Sequence, residues 1–192
     1  GGEKIFEKVS SPFFEEMKSF YGLTGELAVI EMSACAGLPL VEDRKNPSLT
    51  TTYGVGQLIL AAAERGCKKI IVGLGGSATN DGGCGAAAAA GIKFYNKNGD
   101  EFIPVGKTLI DIDRIDFSKR SKLLDNVEIV TMCDIDNPMY GPDGAAYIFA
   151  PQKGADRQMV EDLDRGLKHL CEVIQKESGL NLKNVPGSGA AG

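Results

Sequence analysis

Ile70, Ile71 and Val72 stand in a row and run directly into the glycine-rich stretch GLGGSATNDGG, residues 73–83. Three consecutive β-branched residues with no polar alternation describe a strand covered on both faces, as in sheets sandwiched between helices. The stretch VEIVTMCDI (127–135) reads as a second strand of the same kind, and CGAAAAAG (84–91) reads as a helix closed by Gly91. Buried strands alternating with helices place the chain in the α/β class.

The remaining pattern fits that class. EKIFEKVS reads as a strand stopped by Pro12, and Glu16 to Met32 as a hairpin turning at GLTGE. SACAGLPLV predicts a short helix ending near Gly37, with Pro39 preventing continuation. A helix capped by Thr51 or Thr52 carries Leu58, Ile59, Ala62 and Ala63 on one face and ends at Gly66. Asn98-Gly99 marks a second hairpin. The two hairpins make the expected sheet mixed. TLIDIDRIDFS reads as a short helix or loop up to Phe117, and a short apolar helix is expected near Ala145 to Phe149. Asp156 caps the clearest helix, whose stripe Met159, Leu163, Leu167, Leu170 and Ile174 follows a 3.6-residue period; Lys176 to Lys183 reads as a loop.

Composition narrows the function classes. Among 192 residues 43% are apolar, enough for a proper core, and the net charge of −5 argues against a nucleic-acid footprint. No apolar run approaches the ~18 residues of a membrane span, and the N-terminus has no signal-peptide core. Five dispersed cysteines without a CxxC pair read as free thiols in a reducing compartment, the cytoplasm. The single histidine, His169, falls in the long helical pattern. The absence of an initiator Met and the abrupt glycine-rich end PGSGAAG suggest a piece of something longer.

Bare backbone beside Ser77, Thr79, Asn80 and Asp81 suits an anion. Glycines let a phosphate or carboxylate approach exposed N–H groups at a helix start, and the four side chains add directed polar contacts. The plain alternative is an N-cap with an Asx turn and no function. A P-loop is excluded because the stretch has no Lys. A dinucleotide fingerprint is loosely matched by Gly73, Gly75 and Ala78, but the acidic residue at the required spacing, Asp100, follows the Asn98-Gly99 turn instead of ending a strand. A dedicated site for a small polyol acid and a transferred phosphoryl group is the third possibility, and a non-enzymatic anion-binding or regulatory domain the fourth.

GLGGSATNDGG resembles the signature loop of the type I glycerate kinases. AVIEMSACAGL, RKNPSLTTTYGVG, GCKKIIVGLGGSATNDGGCG, CDIDNPMYGPDGAAYIFAPQKGA and PGSGAAG match that family in the same order, over nearly the whole chain. The resemblance implies an ATP-dependent kinase that phosphorylates D-glycerate with Mg²⁺, built from two α/β domains with the active site between them. The family's opening Pro-Asp-Ser-Phe-Lys strand and its downstream Gly-Glu-Gly segment are missing here. The expected fold is therefore a mixed sheet flanked by helices, the inserted domain of a two-domain kinase. Residues 1–184 would form the substrate-loop domain and 185–192 begin the return to a missing nucleotide-side domain. Its partners would be D-glycerate and the missing half of its own chain, with no nucleic acid or membrane.

Phosphoryl transfer needs positioning, charge neutralisation and an orienting base. Asp81 and Asp134 each follow a buried strand; if those strands are parallel neighbours the carboxylates converge, one on metal and one on the glycerate hydroxyl. Lys153 is the candidate for steadying the transferring phosphate. Gly75, Gly76, Ser77, Thr79, Asn80, Thr51 (with Thr50), Tyr53, Asn137 and Arg44 are candidate substrate contacts, and Gly82, Gly83 and Gln152 candidate nucleotide contacts. Each has a plain reading beside it: capping for the threonines, a turn for Asn137, a solvated loop for Arg44 and for Glu31, a surface charge for Lys153.

Overall fold

A computed structural model describes residues 1–183 and 185–192. Its main sheet has five strands: β1 (Glu3–Ser10), β2 (Glu16–Thr24), β3 (Leu27–Glu31), β4 (Lys69–Gly73) and β8 (Glu128–Met132), in the order β1-β2-β3-β4-β8. The β1-β2-β3 pairings are antiparallel, while β3-β4 and β4-β8 are parallel, so the sheet is mixed as expected. Ile70, Ile71 and Val72 occupy the centre of β4, and the register places Val29, Ile71 and Val130 side by side. Neither β4 nor β8 is covered on both faces as their apolar runs predict: Ile71 is half-buried, and β8 leaves Glu128, Ile129, Thr131 and Met132 exposed, because α2 covers one face only.

One face of this sheet carries a core of Tyr21, Ala28, Ile30, Ile70 and Val72 beneath helix α2 (Tyr53–Glu64), which contributes Val55, Leu58 and Ala62. Each fully buried Leu or Ile stabilises by about 1.5–3 kcal/mol. A short helix α1 (Ser33–Ala36) precedes a 3₁₀ helix over Leu38–Arg44. Pro39 sits in the first turn of that second helix, where its missing N–H costs nothing, so it redirects the helix and does not end helical structure. Helix α3 (Cys84–Ala89) crosses α2 closely: a Cβ at Gly56 would lie 2.3 Å from the Ala86 carbonyl oxygen.

The second hairpin does not join the main sheet. Strands β5 (Lys93–Tyr95) and β6 (Glu101–Phe102) pair with β7 (Arg114–Asp116) in a separate sheet ordered β6-β5-β7. The segment read as helix or loop is a 3₁₀ helix over Gly106–Asp111 followed by β7. Ile115 alone supplies the apolar face of that three-residue strand, too short a signal for alternation to register. This sheet packs on helix α5 (Arg157–Ser178), after helix α4 (Ala145–Phe149). Leu163, Leu167 and Leu170 meet Leu109, Ile112, Ile115 and Phe94 in a second core. Asp156 caps α5 by accepting the Met159 N–H at 2.8 Å. The helix runs through Lys176 to Ser178 and stops at Gly179 (φ +76°), three residues further than the loop reading allowed. The expected boundary at residue 184 falls outside the described residues.

Candidate functional site

The parallel strands β4 and β8 end side by side, and a cavity of about 170 Å³ opens beyond their carboxyl ends. Gly75, Gly76 and Ser77 form one wall, Cys133 and Asp134 the next, and Gln152, Lys153 and the Ala190-Ala191 turn close it. Gly75 and Gly76 are exposed, and a Cβ on Gly75 would meet no atom within 4 Å. Among the described residues neither amide donates to a protein acceptor. Gly76 has φ +70°, which glycine alone adopts without strain. The loop is held from behind by an isolated bridge: Leu38 N–H donates to the Gly76 carbonyl at 2.9 Å and Ala78 N–H to the Ala36 carbonyl at 2.8 Å.

Asp134 stands exposed at the cavity lip and is the only carboxylate lining it among the described residues. Asp81 does not converge with it. The Asp81 side chain is fully buried on the far side of the loop. Its Oδ2 accepts the Thr52 N–H and the Thr52 hydroxyl, both at 2.8 Å, and the Gly85 N–H at 3.2 Å; its Oδ1 accepts the Gly83 N–H at 3.1 Å. Burial raises its pKa against the pull of these four donors. Asp81 thus knots the starts of α2 and α3 together, and the Thr52 hydroxyl extends the knot by accepting the Ala86 N–H at 2.9 Å. Asp81 caps the α2 start through the Thr52 amide, so Thr52 makes no side-chain cap of its own helix. With Asp81 turned inward, no cluster of three potential metal-ligating side chains exists among the described residues.

Lys153 is 2% exposed. Its ammonium donates to Ser77 Oγ at 2.8 Å, the Thr79 carbonyl at 2.6 Å and the Ala191 carbonyl at 2.7 Å. Burial pushes its pKa down to about 7, with the Asp81 carboxylate pulling the other way. All its protons are engaged by protein, so it braces the cavity wall instead of projecting into the space.

The other candidates scatter. Thr79 and Asn80 are buried behind the loop, with the Thr79 hydroxyl and the Asn80 amide lacking partners among the described residues. Gly82 faces Leu167 and Leu170 in the core and Gly83 caps α3, so neither reaches the cavity. Thr50 donates to the Ala78 carbonyl and Thr51 accepts from the Tyr53 N–H. Tyr53 packs on Phe14 beside a different cleft. Arg44 forms a two-pronged pair with Glu15 at 2.8 and 3.0 Å and covers the Phe13 ring. Asn137 buttresses from outside: its side-chain amide donates to the Asp143 backbone carbonyl and its own backbone carbonyl accepts the Gly189 N–H. Glu31 ends β3 without lining the cavity. Asp100 closes the β5-β6 turn, donating its N–H to Asn96, which removes the acidic residue a dinucleotide fold requires. The sequence reading missed Leu74, Met132, Phe149 and the Ala190-Ala191 backbone as cavity walls. Leu74, Met132 and Phe149 lie within three residues of Gly75, Asp134 and Gln152, the one signal that could have pointed to them; nothing local marked Ala190-Ala191.

Free glycine amides, a small cavity and one carboxylate meet at the carboxyl ends of parallel strands in an α/β protein, the place where open sheets of this class take ligands. No described helix is long and apolar enough to cross a membrane. The sequence model of the glycerate kinase family matches residues 1–192. A glycerate kinase of Halalkalibacterium halodurans is 43% identical over 194 residues, covering all of this chain and 51% of its own length. The glycerate 2-kinase of Escherichia coli K12 is 44% identical over 187 residues, covering 96% of this chain and 49% of its own. A solved Salmonella typhimurium LT2 protein, assigned as glycerate kinase 2, superposes with a TM-score of 0.97 at 38% identity, over all of this chain and 52% of that one. The chain belongs to the glycerate kinase family. It spans about half the length of the curated relatives it matches.

Proposed function

We propose that these residues form the loop-bearing half of a kinase that transfers the γ-phosphoryl group of ATP to a hydroxyl of D-glycerate. The observation that carries this reading is that Asp134 lines one cavity together with Gly75 and Gly76, whose amides donate to no protein acceptor among the described residues, in a glycerate kinase family chain. Two N–H groups in an αL-containing loop match the oxygens of a carboxylate or phosphate. The cavity is of a size for a three-carbon acid or one phosphoryl group, not a whole nucleotide, so the purine would lie elsewhere in the longer polypeptide.

The donor set also fits Mg²⁺, which keeps most of its waters and takes one or two carboxylates plus phosphate oxygens. Asp134 is the residue that would hold it. When bound, the ion neutralises phosphate charge. The chain's own residues do the rest. Gly75 and Gly76 orient the anionic end of the acid, Gln152 offers an amide at the rim, and Lys153 holds both loops rigid so that no reorganisation is needed at transfer. Asp134, the one carboxylate lining the cavity among the described residues, orients the glycerate hydroxyl and accepts its proton as the hydroxyl attacks the γ-phosphoryl group.

The name of the Escherichia coli relative favours the 2-hydroxyl as acceptor. The test is ATP turnover with D-glycerate and Mg²⁺ by the longer polypeptide carrying this chain, with the product assigned by ³¹P NMR. ATP-dependent formation of 2-phosphoglycerate is expected. Hydride transfer to NAD(P), or binding of glycerate without turnover, would replace this reading with the oxidoreductase or anion-binding one.

A further inference from the structure

The two edges of the main sheet are built differently. Strand β1 is masked: Glu3, Lys4, Glu7 and Lys8 charge it, Lys8 pairs with Glu16 at 3.0 Å, and the Lys4 and Lys18 ammoniums lie 3.4 and 4.4 Å from the Phe20 and Phe6 ring centres. Strand β8, Glu-Ile-Val-Thr-Met, has no Lys, no Pro and no bulge, the usual guards of a free edge. It is bare on both faces as well. Ile129 is 43% and Met132 62% exposed, and they point to opposite sides. On the face away from α2, Val29 (40% exposed) continues an apolar strip through the half-buried Ile71 and Val130. Parallel strands are found with both faces covered, and here α2 covers one face only, short of β8.

We propose that β8 and the Val29–Ile71–Val130 strip are the seat of the second half of the longer polypeptide. That half contributes one further strand along the free edge of β8 and an apolar helix over the strip. The relatives carry as much chain again as they share with this one, which is enough for such a layer. The bare surface runs into the cavity at Met132 and Cys133, so the added half also supplies the missing wall of the anion site. A second copy of this chain is the poorer occupant, because a two-fold axis perpendicular to the edge strand would set the new strand antiparallel to β8, against the parallel run of β3, β4 and β8. The proposal rests on the reading that the complete protein is about twice this length.

Amide hydrogen exchange on the longer polypeptide tests it without any variant. In a parallel edge strand every second N–H points away from the sheet. The outward amides of Glu128–Met132 are expected to exchange at least a hundredfold slower than an unfolded chain; exchange at the unprotected rate overturns the proposal. Maleimide labelling gives a second reading in a Cys133→Ser background. Val29→Cys is expected to react at least tenfold slower than Leu180→Cys, whose site is 60% exposed beyond α5. Equal rates overturn it. So does protection that disappears on dilution together with a dimer in sedimentation velocity, which would make the occupant a second copy. Neither readout involves phosphoryl transfer, so a failed kinase assay with a protected β8 sinks the functional reading alone, and an active enzyme with a free β8 sinks this one alone.

Discussion

The Lys153 ammonium lies 2.8 Å from Ser77 Oγ, and Ser77 passes the contact on by donating to the Ala191 carbonyl at 2.8 Å, which Lys153 also reaches directly. Two loops 114 residues apart in sequence are thereby tied at one buried point. Asp81 ties the other end of the same glycine stretch to α2 and α3. The exposed amides of Gly75 and Gly76 lie just ahead of these two anchors, which is why so flexible a sequence can present a fixed cradle.

Lys153→Met keeps the bulk of the side chain and removes all three bonds. Stability is expected to fall by about 2–3 kcal/mol in urea unfolding, since hydrogen bonds to charged groups are worth more than neutral ones. Its pH dependence has a definite sign. The folded pKa of about 7 lies below the ~10.4 of an unfolded lysine. Between these values the unfolded chain binds more protons, so wild-type stability rises with pH across that window relative to the variant. A difference between wild type and Lys153→Met that stays flat from pH 7 to 10 would show that the buried amine keeps its proton.

Asp81→Asn separates anchoring from catalysis. The amide can replace Oδ2 as acceptor for Thr52 and Gly85, but its NH₂ then faces the Gly83 N–H, which leaves donors opposed. A loss of about 1–3 kcal/mol in unfolding free energy is expected, with turnover falling only as far as the loop loosens. Asp134→Asn should do the reverse. Its carboxylate is exposed, so the urea midpoint should hold while turnover falls about a hundredfold or more. If Asp134→Asn unfolds the protein and Asp81→Asn abolishes turnover without cost in stability, the roles assigned to the two residues are reversed.

Much of this arrangement is written in local sequence. The β-branched run at 70–72 and the 3.6-residue stripe of α5 identify their elements, the first by residue type and the second by its period, although α2 covers only one face of β4 and the half-buried Ile71 lies on the other. Two apolar strand runs made parallel adjacency of β4 and β8 a condition to be met, and the register of residues 69–73 on 128–132 meets it. The direction of Asp81 did not, because an Asx residue opening a helix looks the same whether it faces solvent or a neighbouring helix start. Thr52 decides it, through a contact 29 residues away in sequence. Lys153 was legible as important but not as buried. Its three acceptors are backbone carbonyls and one hydroxyl, and carbonyls carry no mark in the sequence. Strand β7 was missed because three residues are too few for any period.

Gly85→Ala tests how tightly α2 and α3 meet. A Cβ there would lie 2.2 Å from Thr51 Oγ1 and 2.9 Å from Asp81 Oδ2, inside the knot. Neither neighbour can retreat without giving up its hydrogen bonds. A loss of about 3 kcal/mol is expected, the upper range for overpacking, read as a lower urea midpoint at unchanged slope.

Gly75→Ala and Gly75→Val ask whether the cavity is the anion site at all. A Cβ at this position meets nothing within 4 Å, and its φ is outside the left-handed region, so both variants should fold with wild-type stability. The added carbons stand where an anion would approach the Gly75 and Gly76 amides. Affinity for D-glycerate in the longer polypeptide, measured by calorimetry, is therefore expected to fall at least tenfold for Ala and further for Val. The size order matters, because lost backbone flexibility alone would be much the same for both. Equal, near-normal affinities in two stably folded variants would move the glycerate site away from this loop and leave Asp134 without a substrate to act on.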